Sequence, residues 1–132
     1  MIPVPGETAL DSTTAIRYLN GDSAVVVRVT TLPTVVLPLI VVGELLFGAE
    51  HSARPLENLP RYLQFIDACT VVPMGRETAT FYSRTRCALR RKGRPIPEND
   101  VWIAAQCLEH GWTLATDDEH FTYVDGLAIE QW

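Results

Sequence analysis

Short β-branched runs alternate with longer stretches of helical period along this chain. Thr34 to Ile40 is apolar and broken only by Pro38, which predicts a strand with the proline near its end or at an edge. Val41 to His51 then repeats apolar residues at helical spacing. Val42, Leu45, Leu46 and Ala49 share one face, and Glu44 falls off it in the first turn or two. A second helix is expected from Pro55 to Ala68, burying Leu56, Leu63 and Phe65 or Ile66, and a short buried strand from Cys69 to Val72, closed by Pro73. Residues 76–92 read as a helix with Phe81, Tyr82, Ala88 and Leu89 inward and its arginines outward. Pro97 suits the first turn of the next helix, because that turn has no use for the missing N–H. Val101, Ala104, Ala105 and Leu108 form its buried stripe, and Gly111 is placed to close it as a left-handed cap, with His110 near the negative end of the dipole. Trp112 to Ala115 and Leu127 to Glu130 are the last expected strands. Near the N-terminus, residues 7–10 form a weak strand pattern ending at Asp11. Ser12 to Leu19 follows as a helix stopped by Asn20-Gly21. Residues 22–31, with Ala24 to Val27 and Val29, fit either a strand or a buried helix.

Strands alternating with helices predict an α/β fold: a parallel sheet of four to five strands covered by helices on both faces, in one domain over residues 1–132. In such sheets ligands collect beyond the carboxyl ends of the strands. Asp11, Asp117 and Asp118 stand at strand ends, and Glu44 and Asp100 at helix starts that share that edge if the strands before them run parallel. One acid in a first helical turn does no more than complement the dipole. Several on one edge repel one another, and a divalent cation offsets that cost. Oxygen ligands suit Mg²⁺ or Mn²⁺, which make water a better nucleophile and screen charge on a phosphate. Thr116 and Ser12 add hydroxyls for bound water. Competing chemistries lack their parts: there is no Gly-x-Ser-x-Gly elbow, Walker loop or Gly-x-Gly-x-x-Gly. Asp11-Ser12-Thr13 also fails the two-aspartate pattern of phosphotransferases that form an aspartyl-phosphate.

Composition adds limits. The 132 residues are 47% hydrophobic, enough for a core. No apolar run approaches the ~20 residues that span a bilayer. The start lacks the basic and apolar regions of a secretory signal, so the cytoplasm is the expected compartment and no membrane is expected. Cys69, Cys87 and Cys107 are an odd, widely spaced set, read as small core residues. His51, His110 and His120 form no ligand pair by spacing. The net charge of −5 argues against a nucleic-acid partner, but its distribution argues the other way. Arg84, Arg86, Arg90, Arg91, Lys92 and Arg94 fall within eleven positions, and no acid lies between Glu77 and Glu98. Helix-end electrostatics accounts for Arg90 to Lys92; a phosphate-contacting strip accounts for all six, with Arg86 and Arg90 one turn apart, and does not separate RNA from DNA.

Four blocks in order carry a resemblance. Leu10-Asp11-Ser12-Thr13-Thr14-Ala15-Ile16, Val42-Gly43-Glu44-Leu45-Leu46, Ile96-Pro97-Glu98-Asn99-Asp100-Val101-Trp102 and Thr113-Leu114-Ala115-Thr116-Asp117-Asp118-Glu119-His120-Phe121 resemble the motifs of PIN-domain ribonucleases, specifically the VapC-type toxins of bacterial toxin–antitoxin pairs. The closing Val124 to Trp132 is also similar to the ends of such chains. The resemblance implies a PIN-like three-layer α/β/α fold and a Mg²⁺-dependent endoribonuclease acting on tRNA or rRNA. It further implies a homodimer and a cognate VapB-like antitoxin that occupies the site. It assigns the four acids to Asp11, Glu44, Asp100 and Asp118, with Asp11 and Asp100 the principal metal ligands and Asp117 the alternative to Asp118. The chain departs from the family pattern at Thr13, where Asn is common, and in a less apolar first strand. Two other readings stand beside it: a partner-binding regulatory module without cleavage, and a DNA nuclease or phosphatase on the same scaffold. Phe47, Trp102, Phe121 and Trp132 read as packing residues ahead of base or antitoxin contacts.

Overall fold

Pro38 separates a strand from a helix. In the computed structural model, which describes residues 6–132, β1 (Thr8–Leu10), α1 (Ser12–Leu19), α2 (Ser23–Thr31), β2 (Val35–Leu37) and α3 (Leu39–Glu50) come first. Then follow α4 (Pro55–Ala68), β3 (Thr70–Val71), α5 (Arg76–Arg91), α6 (Glu98–His110), β4 (Thr113–Ala115), a 3₁₀ turn (Glu119–Tyr123) and β5 (Ile129–Glu130). Residues 1–5, where no secretory signal was expected, lie outside the described residues. Pro38 is extended at φ −54°, ψ 145° and precedes the first turn of α3, so the strand expected to reach Ile40 ends at Leu37 instead. A ring without an N–H ends a ladder and suits a helix entry.

The open choice at residues 22–31 falls to helix. The Asp22 carboxylate accepts the N–H groups of Ala24 (3.1 Å) and Val25 (3.4 Å), and Val25 and Val29 are buried one turn apart. On α4, Leu56 is 92% exposed and Leu63 is exposed, against expectation. Leu59, Tyr62 and Ile66, at i, i+3 and i+7, form the inward stripe, and Phe65 packs on Tyr18 with ring centroids 5.0 Å apart. On α5 the buried residues are Thr78, Thr85 and Leu89, while Phe81, Tyr82 and Ala88 are half-buried. Cys87 is exposed, which corrects its reading as a core residue; Cys69 is half-buried and Cys107 buried.

The five strands pair in the order β3-β2-β1-β4-β5, all parallel. Consecutive residues of the central strands are buried (Ala9 and Leu10, Val35 to Leu37, Leu114 and Ala115), so helices cover both faces. From β1 the chain builds outward to one side through β2 and β3, then returns to the other side of β1 with β4. The carboxyl ends of β1 and β4 therefore flank a topological switch point. α6 reaches this edge by a route other than the expected one, since α5 rather than a strand precedes it. It runs directly into β4, with Gly111 (φ 70°) as the left-handed cap, and so starts where β4 ends. Pro97 sits at the cap position just before the first turn.

Buried Gln106 on α6 fixes two neighbours. Its Oε1 accepts the Leu39 N–H at the start of α3 (3.0 Å), and its Nε2 donates to the Val72 carbonyl after β3 (2.8 Å). Among the described residues no helix is long and apolar enough to cross a membrane.

Candidate active site

The site starts at the end of β1. Asp11 is 4% exposed and caps α1. Its Oδ1 accepts the Thr14 N–H at 2.9 Å, and its Oδ2 accepts the Thr116 hydroxyl from the end of β4. The Thr116 oxygen in turn accepts the Asp118 N–H at 3.0 Å. Ser12, the next residue after Asp11, donates its hydroxyl to Glu44 Oε1 on α3, and Asn99 Nδ2 lies 3.5 Å from Glu44 Oε2. Asp100, in the first turn of α6, completes the group. Burial holds its carboxyl above the ordinary carboxylate range, His120 offsets part of that, and the charges of Glu44 and Asp118 push it further up. The acids of four separate segments thus lie on one edge, Asp11 linked to Asp118 through Thr116 and Glu44 to the start of α1 through Ser12, while Asp100 feels the charges of Glu44 and Asp118.

The two adjacent aspartates part company. Asp118 caps the 3₁₀ turn and faces the cluster, its Oδ1 2.9 Å from His120 Nδ1. Asp117 turns outward to Arg17 Nη1 at 3.4 Å, and Arg17 also holds Asp22 (3.0 Å) and the Trp132 carbonyl (2.8 Å).

His120 is the residue that spacing among histidines missed. Its Nε2 lies 2.7 Å from Asp100 Oδ2, so the ring stands between two of the acids. That nitrogen is buried and satisfies no hydrogen-bond geometry. The available signal was Asp118-x-His120 at a strand end, rather than a second histidine. Asn99 was likewise passed over, though it neighbours Asp100. Asp100, Asp118 and His120 each offer one ligand atom, all within 4.8 Å of one another. Carboxylates with one imidazole make a donor set for a divalent cation, and Nε2 faces the Asp100 carboxylate at a position a cation between the two would satisfy. Beside Glu44 runs a groove of about 630 Å³ whose walls include Ser12, Ile16, Leu39 and Phe47.

The basic strip divides. Lys92 pairs with Asp125 (2.5 Å) and donates to the Tyr123 carbonyl (2.9 Å), and Arg94 lies over the Tyr123 ring (4.9 Å). Arg86 bonds the Tyr82 hydroxyl (2.6 Å) and reaches Glu98 (3.5 Å). Arg84, Arg90 and Arg91 are exposed and form no ion pair among the described residues. Arg86 and Arg90 line one cavity of about 450 Å³ together with Ile96, Glu98 and Val101. Of the four aromatics, Phe121 is buried and Trp102 stacks on Tyr82 at 3.9 Å, while Trp132 lies under Arg28 (5.8 Å). Phe47 is 67% exposed and stacks on His51 at 5.3 Å, so it lies outside the core of this chain.

The family model described as PIN domain matches residues 8–127. The chain is 33% identical over 90 residues to the tRNA(fMet)-specific endonuclease VapC of Shigella flexneri, covering 67% of this chain and 68% of that protein. It is 31% identical over 94 residues to ribonuclease VapC2 of Haemophilus influenzae, covering 70% and 71%. Among solved structures, DNA-bound VapBC of Salmonella typhimurium superposes with a TM-score of 0.90 at 27% identity, covering 96% of this chain and 98% of that one. VapBC2 of Rickettsia felis, bound to a promoter DNA fragment, shares the fold with a TM-score of 0.89 at 22% identity, covering 95% and 98%.

Proposed function

The chain belongs to the PIN-domain family, among the VapC ribonucleases, and from that premise we propose that it is the endoribonuclease toxin of a toxin–antitoxin pair, hydrolysing RNA phosphodiester bonds with a divalent cation, Mg²⁺ or Mn²⁺. The observation that carries the proposal is the convergence of Asp11, Glu44, Asp100 and Asp118 at the β1/β4 switch point. When bound, such an ion acidifies water and screens the charge growing on the phosphate. The chain's own residues do the rest. Asp11 is held rigidly by the Thr14 N–H and Thr116, so its carboxylate is fixed before substrate arrives. Asp100 and Asp11 are the principal ion-holding acids. Glu44 and Asp118 keep the pocket anionic and accept hydrogen bonds from the attacking water, with Ser12 fixing Glu44 from behind. The groove along α3 gives an extended strand access to this edge, and Arg84, Arg90 and Arg91 hold flanking phosphates.

The partners belong to the same proposal: tRNA or rRNA as substrate, a VapB-like antitoxin as inhibitor, a second copy of the chain as dimer mate, and the cytoplasm as compartment. Support for the antitoxin comes from the solved neighbours, which are VapBC complexes. The test is cleavage of a total tRNA pool by purified protein with Mg²⁺, with EDTA, and as Asp100→Asn. Discrete fragments that vanish in the last two conditions are expected. Well-folded, partner-free protein that cuts neither tRNA, rRNA nor single-stranded DNA would overturn the nuclease assignment.

A further inference from the structure

Building on that metal-dependent reading, we propose that His120 is itself a ligand of the ion through Nε2, with Asp118 orienting the ring, so that the site is a mixed nitrogen–oxygen site selective for Mn²⁺ over Mg²⁺. Four observations converge on it. Nε2 is 2.7 Å from Asp100 Oδ2, a close charge contact that falls outside the geometry of a straight ring N–H hydrogen bond. Two ligands in cis around one ion, each ~2.1 Å from it, sit ~3 Å apart, with neither on the other's lone-pair axis. A close but misaligned N···O contact is the geometry of such a pair. The opposite ring nitrogen, Nδ1, is 2.9 Å from Asp118 Oδ1. Metal-bound imidazoles commonly place the second ring nitrogen against a carboxylate, which fixes the tautomer and makes the ligating nitrogen more basic. The ring is also held in place: the His120 N–H reaches Asp118 Oδ1 at 3.4 Å, and the imidazole packs on Phe121 at 4.9 Å between centroids. Finally, the candidate ligand atoms of Asp100 and His120 form one compact group with the Asp118 carboxylate, all within 4.8 Å of one another, so an ion held by the first two lies beside the acid that orients the ring.

The chemical consequence is selectivity. Mg²⁺ prefers oxygen and sheds water reluctantly, so a nitrogen donor adds little to its binding. Mn²⁺ also binds oxygen well, but as a first-row transition ion it accepts an imidazole more readily than Mg²⁺, so the nitrogen tilts the balance toward Mn²⁺. Asp118 then orients the imidazole with Oδ1 in addition to keeping the pocket anionic.

The experiment uses the full-length protein and Mn²⁺ alone, without RNA. Electron spin-echo modulation of bound Mn²⁺ is recorded for unlabelled protein and for protein carrying ¹⁵N-histidine. The expected result is a directly coupled ¹⁴N that becomes ¹⁵N on labelling and disappears in His120→Ala. By calorimetry, His120→Ala is expected to weaken Mn²⁺ about 10-fold and Mg²⁺ by less than about twofold. Mn²⁺ that binds without histidine coupling, coupling that survives in His120→Ala, or folded wild-type protein that binds no Mn²⁺ would each overturn the proposal. The isotope comparison needs no variant, so misfolding of His120→Ala leaves the test intact. Because RNA is absent, the outcome is independent of cleavage: nitrogen coupling in a protein that cuts no RNA sinks the nuclease assignment alone, and RNA cleavage without nitrogen coupling sinks the ligand alone.

Discussion

Thr116 donates its hydroxyl to Asp11 Oδ2 while its oxygen accepts the Asp118 N–H. One side chain at the end of β4 thereby joins the acid that ends β1 to the acid that opens the 3₁₀ turn, across the switch point of the sheet. Thr116 is 1% exposed, so no water replaces it if the hydroxyl is removed. Thr116→Val keeps the shape and deletes both bonds. A hydrogen bond to a charged group contributes roughly 1.5–3 kcal/mol. The variant is expected to lose about 10-fold in RNA cleavage and about 1–3 kcal/mol in urea denaturation, with Thr116→Ser close to wild type. A Thr116→Val protein with an unchanged cleavage rate would show that Asp11 needs no such support.

The opposite orientations of Asp117 and Asp118 separate two residues that the sequence left as alternatives. Asp117 spends its charge on an exposed pair with Arg17, which contributes about 0–1 kcal/mol. Asp118 supports His120. Asp118→Asn is therefore expected to lower cleavage by roughly 10- to 100-fold, the usual cost of losing a carboxylate behind a metal-bound imidazole. Asp117→Asn should stay within about twofold. Single-turnover rates on one RNA decide it, and equal losses in both variants would refute the division of roles.

These two aspartates also mark where reading the chain as a string stopped. The strand–helix alternation and the convergence of Asp11, Glu44 and Asp100 on one edge follow from period and from the position of acids at element ends, which are local properties. Which of two equally exposed aspartates turns toward His120 and which toward Arg17 depends on a residue one hundred positions away in sequence, and no local pattern carries that. His120 was overlooked because histidines were weighed against one another, whereas its partners are carboxylates from α6 and from its own turn. Residues 22–31 stayed undecided because Ala24 to Val27 fit both periods; the Asp22 cap, a side-chain bond of a few ångströms, favours the helix. On α4, Phe65 and Ile66 face the protein as expected, whereas Leu56 and Leu63 are exposed because Leu59 and Tyr62 supply the rest of the inward stripe.

Asp100 yields a pH prediction with a definite sign. Burial, above all, and then the Glu44 and Asp118 charges oppose its ionisation, and His120 relieves part of this. An acid whose folded pKa lies above its ordinary value of 3.8 withdraws stability as pH rises. The penalty is absent below 3.8 and complete above the folded value. Asp100→Asn removes the charge. In EDTA at neutral pH it is expected to raise Tm, a gain that should shrink as the pH falls toward 3.8, and with the metal present it is expected to abolish cleavage. Added Mn²⁺ should raise the Tm of wild type and leave the variant unmoved, since only a protein that binds the ion is stabilised by it. Thermal melts over pH with and without Mn²⁺ read both effects. A lower Tm for Asp100→Asn in EDTA at pH 7 would contradict the account of a carboxylate strained by its neighbours.

The basic strip is expected to behave as two groups. Lys92 and Arg94 are engaged with Asp125 and Tyr123 and so tie the end of α5 to the segment after the 3₁₀ turn. Arg84, Arg90 and Arg91 carry charges with no ion-pair partner among the described residues, on the helix that leads toward α6 and Asp100. A cation that contacts a phosphate contributes through counterion release, so its loss flattens the dependence of binding on salt. Arg90→Gln is expected to raise KM for RNA several-fold with kcat nearly unchanged, and to reduce the slope of log affinity against log salt by ~1. Lys92→Gln should leave that slope alone and lower thermal stability slightly, since exposed pairs contribute about 0–1 kcal/mol. Binding titrations at three salt concentrations distinguish the groups. If both variants flatten the slope equally, the Asp125 pairing does not withdraw Lys92 from RNA; if neither does, the strip faces something other than phosphate, and an acidic antitoxin segment becomes the better occupant.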